Sequence, residues 1–432
     1  MEFKKVKLGE CVDYILDYRG KTPKKSKTGI PTLSAKSVKN NFIDYDEVYY
    51  ISRDEYNRFM SKGFPRIGDI LMTMEAPLGL VATLDRDDVG LGQRIVTIRG
   101  KKDFLDNNYL KFYLQSPKGQ HELYSRATGT TVVGISQKNL KNIEIVIPSF
   151  ENQIRIGRIL NNYNKKIEIN NKIISNLESQ AQAIFKSWFV DFEPFQDGNF
   201  VESELGMIPE GWEVKPIGEL LDFDIGGGWG KEKPQEKYLI PAYVIRGTDI
   251  PNSKLGYFNM DNYRYHTESN LKNRRLQVGD IIFESSGGST NQDLGRMLLV
   301  TDELLNEYNN DIICASFCKL IRINDSSIRW FVYNLLEYSY KNKILTKYEV
   351  KSTGISNFSF TIFKDDFKIA VPNRKTMERY FNVTGNNINL SAKLGVQNTK
   401  LAELRDALLP KLMAGEIDVS NIKIEGEEVK NE

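Results

Sequence analysis

Two mixed α/β modules in tandem, each followed by a long helix, are the architecture this sequence predicts. The class is α+β, with the two helices pairing as an antiparallel coiled coil and the modules related by a pseudo-two-fold axis. Three observations predict it. The chain repeats itself at four landmarks in one order, each repeat begins with short strand-like runs, and each ends in apolar residues spaced alternately by three and four. At 432 residues the chain also exceeds what one hydrophobic core usually supports.

The landmarks drift slowly in offset. "VKLGECVDYI" (6–15) lines up with "KPIGELLDFD" (215–224), Gly9 with Gly218, 209 residues apart. "GIPTLSAKSV" (29–38) matches "LIPAYVIRGT" (239–248) at 210, and "RIGDILMT" (66–73) matches "QVGDIIFE" (277–284) at 211. "TGTTVVGISQKNLKNIEIVIP" (128–148) finds "TGISNFSFTIFKDDFKIAVP" (353–372), with Pro148 and Pro372 at 224. The chain reads as a tandem duplication.

Within each copy, "GDILMT" and "GDIIFE" read as a turn followed by a strand, with Asp69 and Asp280 as turn formers. "NIEIVIP" and "FKIAVP" read as short strands closed by proline, and "NNYLKFYLQS" and "SIRWFVYNLLEYS" have helical spacing. The expected division is a first module over 1–148, a central helical region over 149–200, a second module over 201–371 and a C-terminal helical region over 372–420. Residues 421–432 form an acidic tail expected to be disordered.

The first helix carries Ile156, Leu160, Tyr163, Ile167, Asn170, Ile174, Leu177, Ala181, Ile184 and Trp188 at fours and threes, the period of a coiled-coil seam. The second carries Tyr380, Val383, Asn387, Leu390, Leu394, Gln397, Leu401, Leu404 and Leu408 in the same rhythm. Each seam is the expected partner of the other. Asn170 and Asn387 at seam positions either fix the register or mark a hydrated stretch. Gly385 and Gly395 predict a second helix that is irregular or leans on its partners, since glycine costs an exposed helix ~1 kcal/mol.

Composition narrows the function. There are 59 basic against 57 acidic residues, which argues against a purely electrostatic nucleic-acid binder but allows basic residues placed locally. No apolar run approaches a membrane span, and "MEFKKVKLGE" does not read as a signal peptide. Three cysteines (Cys11, Cys314, Cys318) suggest a reducing cytoplasm. Cys314 and Cys318 have the spacing of one helical face, but their apolar surroundings favour buried free thiols over a metal site. With only His121 and His266 there is no catalytic constellation, and neither metal nor enzyme activity is expected. The glycine cluster "LDFDIGGGWGKEKP" (221–234) fails both the Walker and the dinucleotide patterns, because Lys231 is followed by Glu232 and the glycine spacing is wrong. It holds the place of "LDYRGKTPKK" (16–25) in the first copy, and both read as variable surface loops.

Local charge tilts the reading toward DNA. The first 30 residues hold Lys4, Lys5, Lys7, Arg19, Lys21, Lys24, Lys25 and Lys27, and "NYRYHTESNLKNRR" (262–275) interleaves aromatics with Arg264, Lys272, Arg274 and Arg275. Such groups neutralise phosphates and address base edges. Two modules held apart by paired helices suit a split DNA site with an unread spacer. They equally suit a scaffold that holds two protein ligands apart.

"RDALLPKLMAGEIDV" (405–419), "SQAQAIFKSWFVDFEPF" (179–195) and "ELGMIPEGWEV" (204–214), with the repeated "GDI" and "TG…S" elements, resemble the specificity subunit of type I restriction-modification systems over nearly the whole chain. The resemblance implies a non-catalytic subunit in which each module reads one half of a bipartite double-stranded DNA site. It implies helices that separate the modules and dock two methyltransferase subunits, with two restriction subunits joining through them. S-adenosylmethionine, ATP and Mg are then expected on those partners and none in this chain, which lacks an adenine-methyltransferase motif and a Walker sequence.

In similar proteins the base-reading residues lie on variable loops. The candidates here are Arg19, Lys21, Thr22, Thr73, Glu75, Arg94, Thr130 and Ser136 in the first module. In the second they are Lys231, Arg246, Glu284, Ser285, Arg296 and Ser356. Arg94 and Arg296 have the fork for guanine, and the glutamates can accept from a cytosine amino group. Leu160, Ile167, Asn170, Ile174, Leu177, Ile184, Asn387, Leu394, Leu401 and Leu408 are the candidates for helix pairing and partner docking.

Overall fold

In the first module, the turn at Gly68 and Asp69 launches the strand Ile70–Met74 into the centre of an antiparallel sheet. The fold comes from a computed structural model that describes residues 2–287, 292–352 and 354–422. The strand order in this sheet is Val12–Asp17, Ile95–Gly100, Ile70–Met74, Leu78–Thr83. The second copy repeats it strand for strand as Phe223–Gly226, Cys318–Arg322, Ile281–Glu284, Met297–Leu299.

A smaller sheet accompanies each. The "IP" strand Ile30–Leu33 runs antiparallel to Tyr49–Ile51 and parallel to Gly90–Leu91. Its counterpart Ile240–Ile245 runs antiparallel to Tyr263–His266 and parallel to Asp311–Cys314. Each module closes on itself where its first strand meets its last: Lys4–Lys7 pairs with Glu144–Ile147, and Glu213–Pro216 with Lys368–Val371. The landmark glycines Gly9 and Gly218 do the same work at this closure. A Cβ on either would lie within about 3 Å of Lys141 or Lys364 respectively, so only glycine lets these segments meet. The hairpin Phe200–Ser203 with Gly206–Pro209 opens the second module.

Two helices dominate the chain. Phe150–Phe189 starts at Ser149, whose hydroxyl and carbonyl take the amides of Asn152 and Gln153. Arg374–Ala414 starts at Asn373, whose side chain takes the Thr376 amide, and stops at Gly415 with φ +76°. The chain divides into two compact units: Met1–Lys166 with Leu401–Glu432, and Ile167–Lys400. Each helix thus contributes one end to each unit. In the first unit Ile156 and Leu160 share a core with Leu409, Leu412 and Met413, and Arg405 donates to Asn164 at 2.7 Å. In the second, Tyr380 donates to the Ala181 carbonyl at 3.3 Å, and Asn170 donates to both Gln397 and Asn398 at 2.8 Å. The helices run antiparallel in both units.

The first helix buries or half-buries every seam residue read from the sequence. The second does not. Val383, Leu390 and Leu404 are 52, 45 and 53% exposed, and the buried line runs one residue later through Thr384, Ser391 and Asn398. The cause is the space available. Trp330 donates its indole N–H to Thr384 at 2.6 Å, and the backbone of Gly256 lies against Gly395. Neither contact tolerates a leucine, so small and polar residues occupy the covered face and the apolar ones face outward. Asn387, Leu394, Leu401 and Leu408 are half-buried at its edge. The helix runs unbroken through both glycines. The tail expected to be disordered lies, from residue 423 on, outside the described residues.

Cys314 and Cys318 sit at the facing ends of two strands instead of on a helix. Both are buried and free, as is Cys11, and burial pushes the Cys314 thiol up to about 12. No helix among the described residues is long and apolar enough to cross a membrane.

Candidate nucleic-acid interface

At one end of the first module's main sheet three loops converge. Arg19 donates to the Ile135 carbonyl at 3.0 Å, Gln93 donates to Thr22, and the Arg94 guanidinium meets Glu75 at 3.3 Å. Glu75 in turn bridges Gly134, which bridges Thr128. Arg19, Thr22, Glu75 and Arg94 therefore belong to one cluster, with Lys21 and Thr130 exposed on its loops. Val132 and Val133 project from the same loop.

The second module builds the equivalent place from different residues. The amides of Ser285 and Ser286 both donate to the Phe317 carbonyl, at 2.9 and 3.0 Å, and Gly287 pairs with Ser356. Gly227 and Gly228 donate to the carbonyls of Cys318 and Cys314, at 2.8 and 2.9 Å. A Cβ on Gly227 would stand 2.1 Å from the Ala315 oxygen, and Gly230 has φ +74° beside His266. The glycine cluster is a close approach of backbone to backbone. That requirement is steric and needs no phosphate.

The basic cluster at 262–275 is largely spent on holding this loop. Arg264 stacks over Trp229 at 5.1 Å, Arg274 donates to the Gly226 carbonyl at 2.7 Å, and Arg275 pairs with Asp311 at 2.7 Å. His266 is buried beneath, and desolvation lowers its pKa.

Several candidates are buried or held in bonds within their module. Thr73 is fully buried and accepts from the Leu80 amide at 2.9 Å. Arg296, with the fork for guanine, instead forks onto the buried Glu284 at 2.5 and 2.8 Å. Two strands joined in a hairpin bring this pair together, a non-local contact that residue types alone do not announce. Arg246 chelates Asp249 at 2.8 and 3.0 Å, and Ser136 caps a short helix by accepting from Asn139 at 3.1 Å. Arg19 is half-buried against Asp17 at 2.6 Å. Lys21, Thr22, Glu75, Arg94, Thr130, Ser136, Lys231 and Ser285 remain exposed or partly so, with Ser356 half-buried.

Sequence reading missed Gln93 and Phe317, which stand exposed at matching turns. A signal was present. Phe317 follows Arg94 by 223 residues, one less than the 224 that separate Pro148 from Pro372.

Residues 1–179 match the profile of the type I restriction modification DNA specificity domain. Over these residues the chain is similar to that specificity-domain family. It is 27% identical over 416 residues to the type I restriction enzyme MjaIX specificity subunit of Methanocaldococcus jannaschii, covering 91% of this chain and 88% of that one. It is 22% identical over 353 residues to the HindI specificity subunit of Haemophilus influenzae, covering 68% and 74%. The crystal structure of the S subunit of a type I restriction-modification system from M. genitalium superimposes with a TM-score of 0.54 at 17% identity, over 95% of this chain and 96% of that one. That likeness supports the fold.

Proposed function

We propose that this chain is a specificity subunit that reads a bipartite double-stranded DNA sequence, one half through each module, and performs no chemistry itself. The observation that carries this reading is the doubled loop cluster. The same strands in the same order present the same loops, yet the exposed side chains differ: Gln93 and Arg94 in one copy, Ser316 and Phe317 in the other. A shared frame with divergent tips is what two readers of different half-sites require, because base contacts specify while the scaffold positions.

The helices dock two methyltransferase subunits and, through them, two restriction subunits. The outward Val383, Leu390 and Leu404 offer apolar contact area for that docking. S-adenosylmethionine, ATP and Mg belong to those partners, and the assembly works in the cytoplasm.

The test is competition binding with the purified complex of this chain and its methyltransferase subunits. DNA reading predicts one duplex sequence preferred at least ~10³-fold over random duplex, with affinity falling steeply as salt rises. Affinity for all duplexes alike, or none, contradicts it and favours a protein scaffold.

A further inference from the structure

One turn recurs in both modules with two backbone anchors shared and its side chains changed. In the first, Leu91 and Gly92 are buried, Gln93 and Arg94 exposed, and Ile95 buried; in the second, Cys314 and Ala315 are buried, Ser316 and Phe317 exposed, and Cys318 buried. Two anchors match. Gly92 donates to the Leu33 carbonyl at 2.7 Å and Ala315 to the Ile245 carbonyl at 2.8 Å. Met74 donates to the Arg94 carbonyl at 2.8 Å and Ser285 to the Phe317 carbonyl at 2.9 Å. The turn joins the small sheet to the main one in each copy, so its tip is held from both sides.

What projects from the tip is costly to put there. Arg94 is held at φ +66°, a conformation that non-glycine residues seldom adopt, with its guanidinium half exposed beside Glu75. Phe317 is 52% exposed, a large apolar ring turned to solvent while its carbonyl takes the amides of two serines and the Ser285 hydroxyl. The two copies place different side chains at the tip.

We propose that this matched turn is the specificity-determining element of both modules, and that its two tips read different base chemistry. Resting on the DNA-reading function above, Arg94 and Gln93 read a purine edge by hydrogen bonds, the guanidinium to guanine O6 and N7 or the amide to adenine N6 and N7. Phe317 reads the C5-methyl group of a thymine by apolar contact. One half-site therefore carries a purine that the first turn requires, and the other carries a thymine whose methyl group matters.

The experiment maps N6-methyladenine in cells that co-express the methyltransferase subunit with the parent chain, with Arg94→Ala or with Phe317→Ala. Each variant loses discrimination at one position of one half-site, roughly 5- to 150-fold, while the other half-site and the spacer stay as in the parent. With purified complex, replacing the read thymine by deoxyuridine weakens the parent several-fold and leaves Phe317→Ala unchanged. Phe317→Leu, which keeps an apolar tip, retains the thymine preference, and equal melting temperatures exclude misfolding as the cause. An unchanged motif in both variants, or equal weakening on every sequence, overturns the proposal. A parent chain that yields no split motif instead defeats the underlying DNA-reading function, a separate failure.

Discussion

Arg99 grips Asp69 through two hydrogen bonds of 2.6 and 2.8 Å, and Arg322 grips Asp280 in the second copy through two of 2.7 Å. Both aspartates are buried, and each also takes a backbone amide three residues back, from Arg66 at 2.8 Å and from Gln277 at 2.7 Å. The aspartate thus ties the turn before the central strand to the neighbouring strand. Removing one partner leaves a buried charge uncompensated, at a cost on the order of 3–5 kcal/mol. Asp280→Ala is expected to destabilise the second unit by that amount in denaturant titrations, and Asp69→Ala the first. Replacing both members, as in Asp280→Leu with Arg322→Met, recovers part of the loss, since the Gln277 amide stays without its acceptor.

Glycine in the second helix has the opposite sign from its propensity. Alanine is favoured in a helix by ~1 kcal/mol, but a Cβ at Gly395 would stand 2.9 Å from the Gly256 nitrogen and 3.0 Å from its Cα. Backbone cannot give way as a side-chain tip can, and overpacking costs ~1–3 kcal/mol. Gly395→Ala is therefore expected to lower the melting temperature. A rise would mean the contact is absent.

On the proposed docking role, the outward face of the same helix separates folding from docking. Leu390→Lys and Leu404→Lys are expected to change stability by no more than ~0.5 kcal/mol, because both positions are already exposed. The same variants weaken capture of the methyltransferase subunit in a pull-down at matched concentrations.

The glycine cluster divides by position. Gly226 has open space around it, whereas Gly227 is pressed against the Ala315 and Cys314 carbonyls at 2.1 and 2.4 Å. Gly226→Ala is expected to be neutral within ~0.5 kcal/mol, and Gly227→Ala to cost ~1–3 kcal/mol by thermal or chemical melting.

Lys111 gives the first unit a pH dependence. Burial, reinforced by the nearby Arg405 charge, pushes its ammonium down to about 8 from an ordinary 10.5. Between those values the unfolded chain holds the proton that the folded chain has released, so this group's contribution to stability rises with pH. Below about 8 the buried charge costs its full amount. Lys111→Met is expected to stabilise the first unit at pH 7 by up to ~3 kcal/mol, with the gain vanishing toward pH 10.5. An equal gain at both pH values contradicts the assignment.

The features legible in the sequence were those set by local chemistry. Gly68 and Gly279, at φ +89° and +92°, mark matching turns because few other residues adopt that conformation, so the duplication shows through low identity. The first helix announced its seam because it buries apolar side chains. The second misled by one residue because its covered face answers to Trp330 and Gly256, which lie far away in sequence. The same non-locality hid the Glu284–Arg296 pair and the inward turn of Thr73. The glycine loop was legible as a loop, but its reason, contact with the Cys314–Cys318 turn, was not.

The most direct test of the central claim is a methylation map of the parent chain, co-expressed with its methyltransferase subunit in a host without adenine methylation. Two short half-sites around a fixed unread gap, with N6-methyladenine in each, are the predicted result. Methylation without a split motif would contradict the account, because the doubled modules would then set no specificity.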